Sequence, residues 1–395
     1  MPQERSRRNV VVLAICQGLM MIGATTMIAE SALVGHMLAS DKALATLPLA
    51  IMHLGIMATT FPASMFMARF GRRAGFSLGA AIGCGATALC AVAIVEESFW
   101  HFCLGTLFNG FYQGVGTFYR FAAADGADGP WRSRAISYVI TGGIIAAVVG
   151  PELAKSTAEL LAPHLFAGSF VALSLTAVVA LALIQLLEIP PLRVAQSDAP
   201  ARPLAAIARQ PAFVVAVLAS VVGYGVMNLV MTATPLAMIA CAHRFDDAAT
   251  VIQWHALGMF VPSFFTGNLI RRFGTARVMA AGAALLGACC AINLVGVAFM
   301  NFWVALVLLG LGWNFLFIGA TTLLTETYRP VERAKVQALN DFLVFGTVSL
   351  TAFSSGALMA GAGWAAVNLL TVPFVAAAAA GVLWLAHRRR AVVTP

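Results

Sequence analysis

The chain has 395 residues, of which 61% are hydrophobic and only 10% charged, with a net charge of +8. Soluble domains average roughly 45–50% apolar and 25% charged residues, so a soluble fold could not hide this much apolar surface. The basic residues fall in spaced clusters at the ends of apolar runs, which points away from nucleic acid and makes membrane lipid the surroundings.

Apolar runs of the roughly 20 residues that cross a bilayer as a helix recur along the chain. Twelve are predicted, at 10–34, 44–68, 74–95, 99–121, 135–158, 165–187, 212–240, 249–270, 277–298, 302–325, 337–359 and 364–386. The first is too long for a cleavable signal and shows no small-residue cleavage site. Seven basic clusters of three fall on one side: Arg5, Arg7, Arg8; Arg69, Arg72, Arg73; Arg120, Arg132, Arg134; Arg193, Arg202, Arg209; Arg271, Arg272, Arg277; Arg329, Arg333, Lys335; and Arg388, Arg389, Arg390. They hold 21 of the 24 Lys and Arg, leaving Lys42, Lys155 and Arg244 opposite. Because positive loops stay inside, both termini are expected to be cytoplasmic.

The basic turn MARFGRRAG at 67–75 between the second and third runs reappears as LIRRFGTAR at 269–277. Aligning Arg69-Phe70-Gly71 with Arg272-Phe273-Gly274 gives an offset of 203 residues, about half the chain. QGLMMIGATTMIA in the first run likewise parallels YGVMNLVMTATPLA in the seventh, and MHLGIM in the second parallels WHALGMF in the eighth. The expected fold is an all-α membrane protein of twelve transmembrane helices in two pseudo-symmetric six-helix bundles, 1–188 and 212–395. The proline-rich segment 189–211 is the cytoplasmic linker, with a short amphipathic helix at 204–209. The seven cysteines have no metal-ligand spacing and read as small packing residues.

Spans 1, 2, 4, 7, 8 and 10 carry polar and aromatic residues that are costly inside a membrane unless they face a cavity or a partner helix. Gln17, Asn109, Tyr112, Gln113, Asn228, Trp254, His255, Trp313 and Asn314 are the candidate substrate-binding residues. Amides can bond a polar solute and the aromatic rings offer flat faces; the competing reading is bonding between neighbouring helices. No Lys or Arg lies at mid-depth in spans 1, 4, 7 or 10, so a neutral, ring-containing small molecule suits them better than an anion. Glu30, His53 and Glu152 are candidates for coupling to a proton, although Glu152 also has Lys155 one turn away. No paired carboxylates, hydrolase-type triad, metal spacing or phosphate loop gathers at an interface, which speaks against a membrane-embedded enzyme and against any cofactor.

The repeated basic turn resembles that of the major facilitator superfamily, G-x-x-x-D-R-x-G-x-R-R. Arg69, Gly71 and Arg73 match, while Ser64 and Ala68 replace the first Gly and the Asp; the second copy keeps Gly267, Arg272 and Gly274, with Arg271 at the Asp position. The resemblance covers essentially the whole chain and implies a monomeric secondary carrier of the bacterial inner membrane, alternating access between two bundles about a central site. It also implies a gating role for Arg69, Gly71, Arg72, Arg272, Gly274 and Asp341, with Asp341 the expected acidic partner of Arg69 or Arg72. Two antiporter motifs are incomplete. In span 4, Gln113, Gly114 and Gly116 match R-x-x-Q-G-x-G but Gly110 replaces the Arg. In span 5, Ala154-Lys155 replaces the final Gly pair after Gly150-Pro151. Both departures lower the case for proton-driven efflux of drugs or metabolites, which stands as the alternative. YRFAAADGA, RAISYVITGG, VVGPELA, WHALGMFVPSFFTG and ERAKVQALNDFLVFG resemble a branch of bacterial carriers associated with riboflavin import, which implies uptake of such a ring.

Overall fold

The computed structural model describes residues 2–125, 129–189 and 202–393. Most of the expected linker, 190–201 with Arg193, lies outside the described residues, as do the side chains of Arg5, Arg132, Arg134, Arg333 and Arg390. Among the described residues the regular structure is entirely helical, and eight helical segments are long and apolar enough to cross a membrane. Except at their ends, helices pair their backbone N–H and C=O groups internally, which is what a lipid environment demands. The chain divides into two compact units, Met1–Val194 with Ala248–Gln253, and Ala195–Asp247 with Trp254–Pro395.

In the first unit, α1 (Pro2–Leu38) packs on α6 (Gly129–Thr157), while α3 (Arg72–Val95) packs on α4 (Phe99–Gly116) and α7 (Ala167–Ile184). α2 (Leu47–Phe70) lies against α4. The expected fourth span is shorter than its apolar run. α4 stops at Gly116, and the chain resumes as α5 (Tyr119–Asp125) after Thr117, whose hydroxyl donates back to the Gly114 carbonyl at 2.7 Å. The ends of the unit are tied where α7 has finished. Asn9 donates to the Glu188 carbonyl at 2.8 Å and accepts the Glu188 N–H at 3.1 Å, while Arg8 pairs with the Glu188 carboxylate at 2.6 Å.

In the second unit, α8 (Leu204–Ala208) is the short linker helix and α9 (Pro211–Ala240) is the first long one. The apolar run expected as one span over 249–270 is two helices, α10 (Phe245–Phe260), whose Ala248–Gln253 stretch is grouped with the first unit, and α11 (Ser263–Phe273). Pro262 has no N–H to give the preceding turn, so the helix breaks there. α12 (Thr275–Val295) packs on α13 (Phe299–Thr325), and α9 packs on both α13 and α14 (Arg333–Val393). The last two expected spans form one helical run interrupted only at Gly363, with φ 77° and ψ −178°. That conformation kinks the run, and glycine reaches it without a Cβ clash.

Candidate solute-binding residues

Two candidates of the first unit, Asn109 and Gln113, lie where α2 and α4 cross. Gly55 and Gly110 set the distance: a Cβ on Gly110 would stand 2.2 Å from the Met52 carbonyl oxygen and 3.1 Å from Gly55 Cα. Such close backbones fix the side chains beside them. Asn109 and Gln113, four residues apart and so on one face of α4, are both buried. The Asn109 amide donates to the Met27 and Met52 sulfurs, and that of Gln113 to the Met52 sulfur at 3.2 Å. Tyr112 points instead to α3, where a Cβ on Gly83 would meet its ring at 2.4 Å. Gln17 is half-buried on α1.

The second unit repeats this crossing with different chemistry. A Cβ on Gly310 of α13 would lie 2.4 Å from the His255 carbonyl oxygen and 3.0 Å from the Gly258 carbonyl carbon of α10. Superposing Gly55 on Gly258 and Gly110 on Gly310 sets Met52 opposite His255 and Gln113 opposite Trp313. His255 is fully buried and its Nδ1 donates to the Leu306 carbonyl at 2.9 Å, which leaves Nε2 as an acceptor without a partner. The Trp313 Nε1–H is also buried without a partner. Its ring stacks on Phe317 at 5.1 Å and 11°, and Tyr224 stands edge-on to both at 5.3 Å, with Phe345 at 6.1 Å.

Three other candidates have different surroundings. Asn314 donates to the Met259 carbonyl at 2.6 Å and the Ser263 hydroxyl at 2.7 Å, and accepts from Thr266 at 2.6 Å. It thereby holds the two sides of the Pro262 break. Asn228 donates to the Val348 carbonyl at 3.0 Å and Thr351 at 3.2 Å, tying α9 to α14. Trp254 is 43% exposed and meets Trp303 edge-on at 5.3 Å. Phe317, Phe345, Met27 and Met52 were not among the sequence candidates. Phe317 was findable, since it follows Trp313 by one helical turn; a methionine in an apolar run carries no such signal.

The two basic turns have one geometry. Gly71 and Gly274 both sit at φ 86°, with ψ 158° and 150°, and their N–H groups cap the Met67 and Ile270 carbonyls at 2.9 and 2.8 Å. Arg69 lies over Phe70 at 5.3 Å and Arg272 over Phe273 at 5.2 Å. No family model matches the chain. Whole-chain relatives do. The riboflavin transporter RfnT of Brucella anthropi is 45% identical over 376 residues, 94% of each chain. An uncharacterized MFS-type transporter of Bacillus subtilis, YddS, is 30% identical, covering 87% of this chain and 85% of its own. The chain belongs to the major facilitator superfamily. Its fold agrees: a bacterial homologue of the human lysosomal transporter Spinster, solved in an inward-facing and occupied conformation, aligns over 96% of both chains at 18% identity with a TM-score of 0.73. An auto-inhibited POT family peptide transporter aligns over 97% of both at 15% identity with a TM-score of 0.67. The protein is a multi-pass secondary transporter of a small molecule.

Within this superfamily member the coupling candidates differ sharply. Glu30 is fully buried on α1; one carboxyl oxygen accepts from the Ser169 hydroxyl at 2.7 Å and the other is buried without a partner. Glu152 is half-exposed and paired with Lys155 at 2.8 Å. His53 donates from Nδ1 to the Leu49 carbonyl at 2.8 Å, within its own helix. Of the gating candidates, Arg72 is nearly buried and Asp341 is exposed, accepting from the Asn340 amide at 3.2 Å. Among the described residues, no cluster of three His, Cys, Asp or Glu side chains is placed to hold a metal ion.

One charged group was missed altogether. Glu332, before α14, is fully buried and accepts from the Arg202 Nε at 2.8 Å and Nη2 at 2.6 Å. It also accepts the backbone N–H groups of Arg202 and Arg329 at 2.8 and 2.9 Å. The Arg202 guanidinium thereby holds this carboxyl well below the usual range. Arg202 and Gln210 both donate to the Thr327 carbonyl at 3.0 Å, and Lys335 donates to the Arg202 carbonyl. The end of the linker is thus fastened to the turn between α13 and α14.

Proposed function

We propose that this transporter takes up a neutral, ring-containing solute, riboflavin, across the bacterial cytoplasmic membrane by alternating access. In this reading twelve spans form two six-helix bundles, 1–188 and 212–395, joined by the linker 189–211, with both termini cytoplasmic. The protein works as a monomer, without enzymatic activity or nucleic-acid partner. Gly71 and Gly274, with Arg69, Arg72, Arg272 and Asp341, are the gating set.

The observation that carries the reading is the chemistry of the under-bonded groups. In the first unit Asn109 and Gln113 offer donors; in the second, taken by itself, His255 offers an acceptor and Trp313 a donor beside the aromatic faces of Tyr224 and Phe317; and α4, α9 and α13 contain no Lys or Arg. Such groups suit a flat heterocycle with polar edges and would leave a phosphate without a counter-charge. Similarity to RfnT over 94% of the chain supports the same solute. Glu30 is the coupling group favoured here, because its carboxyl has no cation partner and only one hydrogen bond. The test is growth: the chain should rescue a bacterium unable to make or import riboflavin at low external vitamin. Failure to rescue, with the protein present in the membrane, would remove riboflavin from the reading.

A further inference from the structure

Buried carboxamides elsewhere in the long helices donate to oxygen. Asn228 reaches the Val348 carbonyl, Asn293 reaches Asn368 Oδ1 at 2.9 Å, Asn368 reaches the Trp364 carbonyl at 2.9 Å, and Asn314 reaches two oxygens. Asn109 and Gln113 differ, because each donates only to thioether sulfur. A thioether is a weak acceptor, so these donors are buried without an adequate partner. Their positions are nevertheless rigid, since Gly110 between them is pressed against the backbone of α2. The methionines opposite are the reverse. Each side chain, although fully buried, is unbranched with three rotatable bonds and so can adopt other rotamers. A fixed set of donors capped by movable, weak acceptors is what an exchangeable ligand requires.

We propose that Asn109 and Gln113 are the hydrogen-bond donors that recognise ring carbonyl oxygens of the solute, with the Met27 and Met52 sulfurs as place-holders that the solute displaces. The proposal rests on the reading of the protein as a carrier of a neutral ring and adds its recognition edge: a cyclic imide or lactam. Rings of equal size without carbonyls are discriminated against, since they would leave the amides with no partner better than sulfur.

The test uses purified protein in lipid nanodiscs, with binding read by tryptophan fluorescence. The probes are lumichrome, a three-ring imide, and phenazine, a three-ring heterocycle without carbonyls. Met52→Leu removes a competing acceptor and should tighten lumichrome binding severalfold. Met52→Gln supplies a strong competing oxygen and should weaken it about tenfold, as should Gln113→Met, which removes the donor. Phenazine affinity should stay level in all three. A packing role for Met52 would instead move both probes together, and that result, or no change with either, overturns the proposal, as does failure of the wild type to bind lumichrome. If the lumichrome pattern holds while riboflavin is not transported, the riboflavin reading falls and the donor assignment stands.

Discussion

Replacing Gly110 by alanine should destabilise the first unit, even though alanine is the better helix former. A Cβ there would stand 2.2 Å from the Met52 carbonyl oxygen and 3.1 Å from Gly55 Cα. Both obstacles are backbone, so no side chain can rotate away. α2 and α4 must separate by about 1 Å, and overpacking of this kind costs about 1–3 kcal/mol. The gap also weakens dispersion contacts along the crossing. Helix propensity returns about 1 kcal/mol, leaving a net loss of up to about 2 kcal/mol. Gly310→Ala should fall as far, since its Cβ would meet the His255 carbonyl at 2.4 Å and the Met259 nitrogen at 2.9 Å. Gly85→Ala is the control, because nothing lies within 4 Å of its Cβ. Thermal unfolding in detergent can be followed by a thiol-reactive dye as the buried Cys16, Cys90, Cys103, Cys289 and Cys290 become accessible. If Gly110→Ala unfolds no earlier than Gly85→Ala, the crossing is not the close contact described.

Asn314→Leu should cost about 1–3 kcal/mol, because it takes the side-chain donor from the buried Met259 carbonyl and cuts the links to Ser263 and Thr266, and it should lower the same unfolding midpoint. Glu332→Gln should loosen the linker attachment in a pH-dependent way. The native carboxyl titrates below its unfolded value, so its stabilising contribution is complete above the ordinary glutamate pKa of about 4.3 and is lost as pH falls from there. The gap in unfolding midpoint between wild type and Glu332→Gln should therefore be constant from about pH 6 to 8 and narrow below about pH 4; a gap that widens on acidification would contradict it. From the basic-residue pattern, a cysteine placed at Asp41, Glu97 or Asp247 should label from outside the cell with an impermeant thiol reagent, and one at Ser197 only after the membrane is opened.

Much of the fold was legible because depth in a membrane is written in composition. The turns at Gly71 and Gly274 were placed from the sequence, and their shared φ of 86° shows that the repeat extends to backbone geometry. Hydropathy does not report breaks that leave the run apolar, so the interruptions at Thr117 and Pro262 lay hidden inside single expected spans. Pro262 was the visible clue. Side-chain roles were harder to read. A helix that is apolar all round gives no stripe to separate lipid from protein. The sequence therefore put Trp254, Asn314 and Asn109 in one group, whereas they are respectively half-exposed, bonded to oxygen and bonded only to sulfur. The Arg202–Glu332 fastening joins positions 130 residues apart, a pairing that no local pattern announces.

The measurement that bears most directly on the central claim is transport by the purified protein in sealed proteoliposomes loaded with unlabelled riboflavin. Labelled riboflavin outside should accumulate by exchange, and excess unlabelled riboflavin should compete while its phosphate ester should not, because the candidate residues hold no cation for a phosphate. Exchange absent with riboflavin, or faster with the phosphate ester, would contradict the assignment of a neutral ring solute.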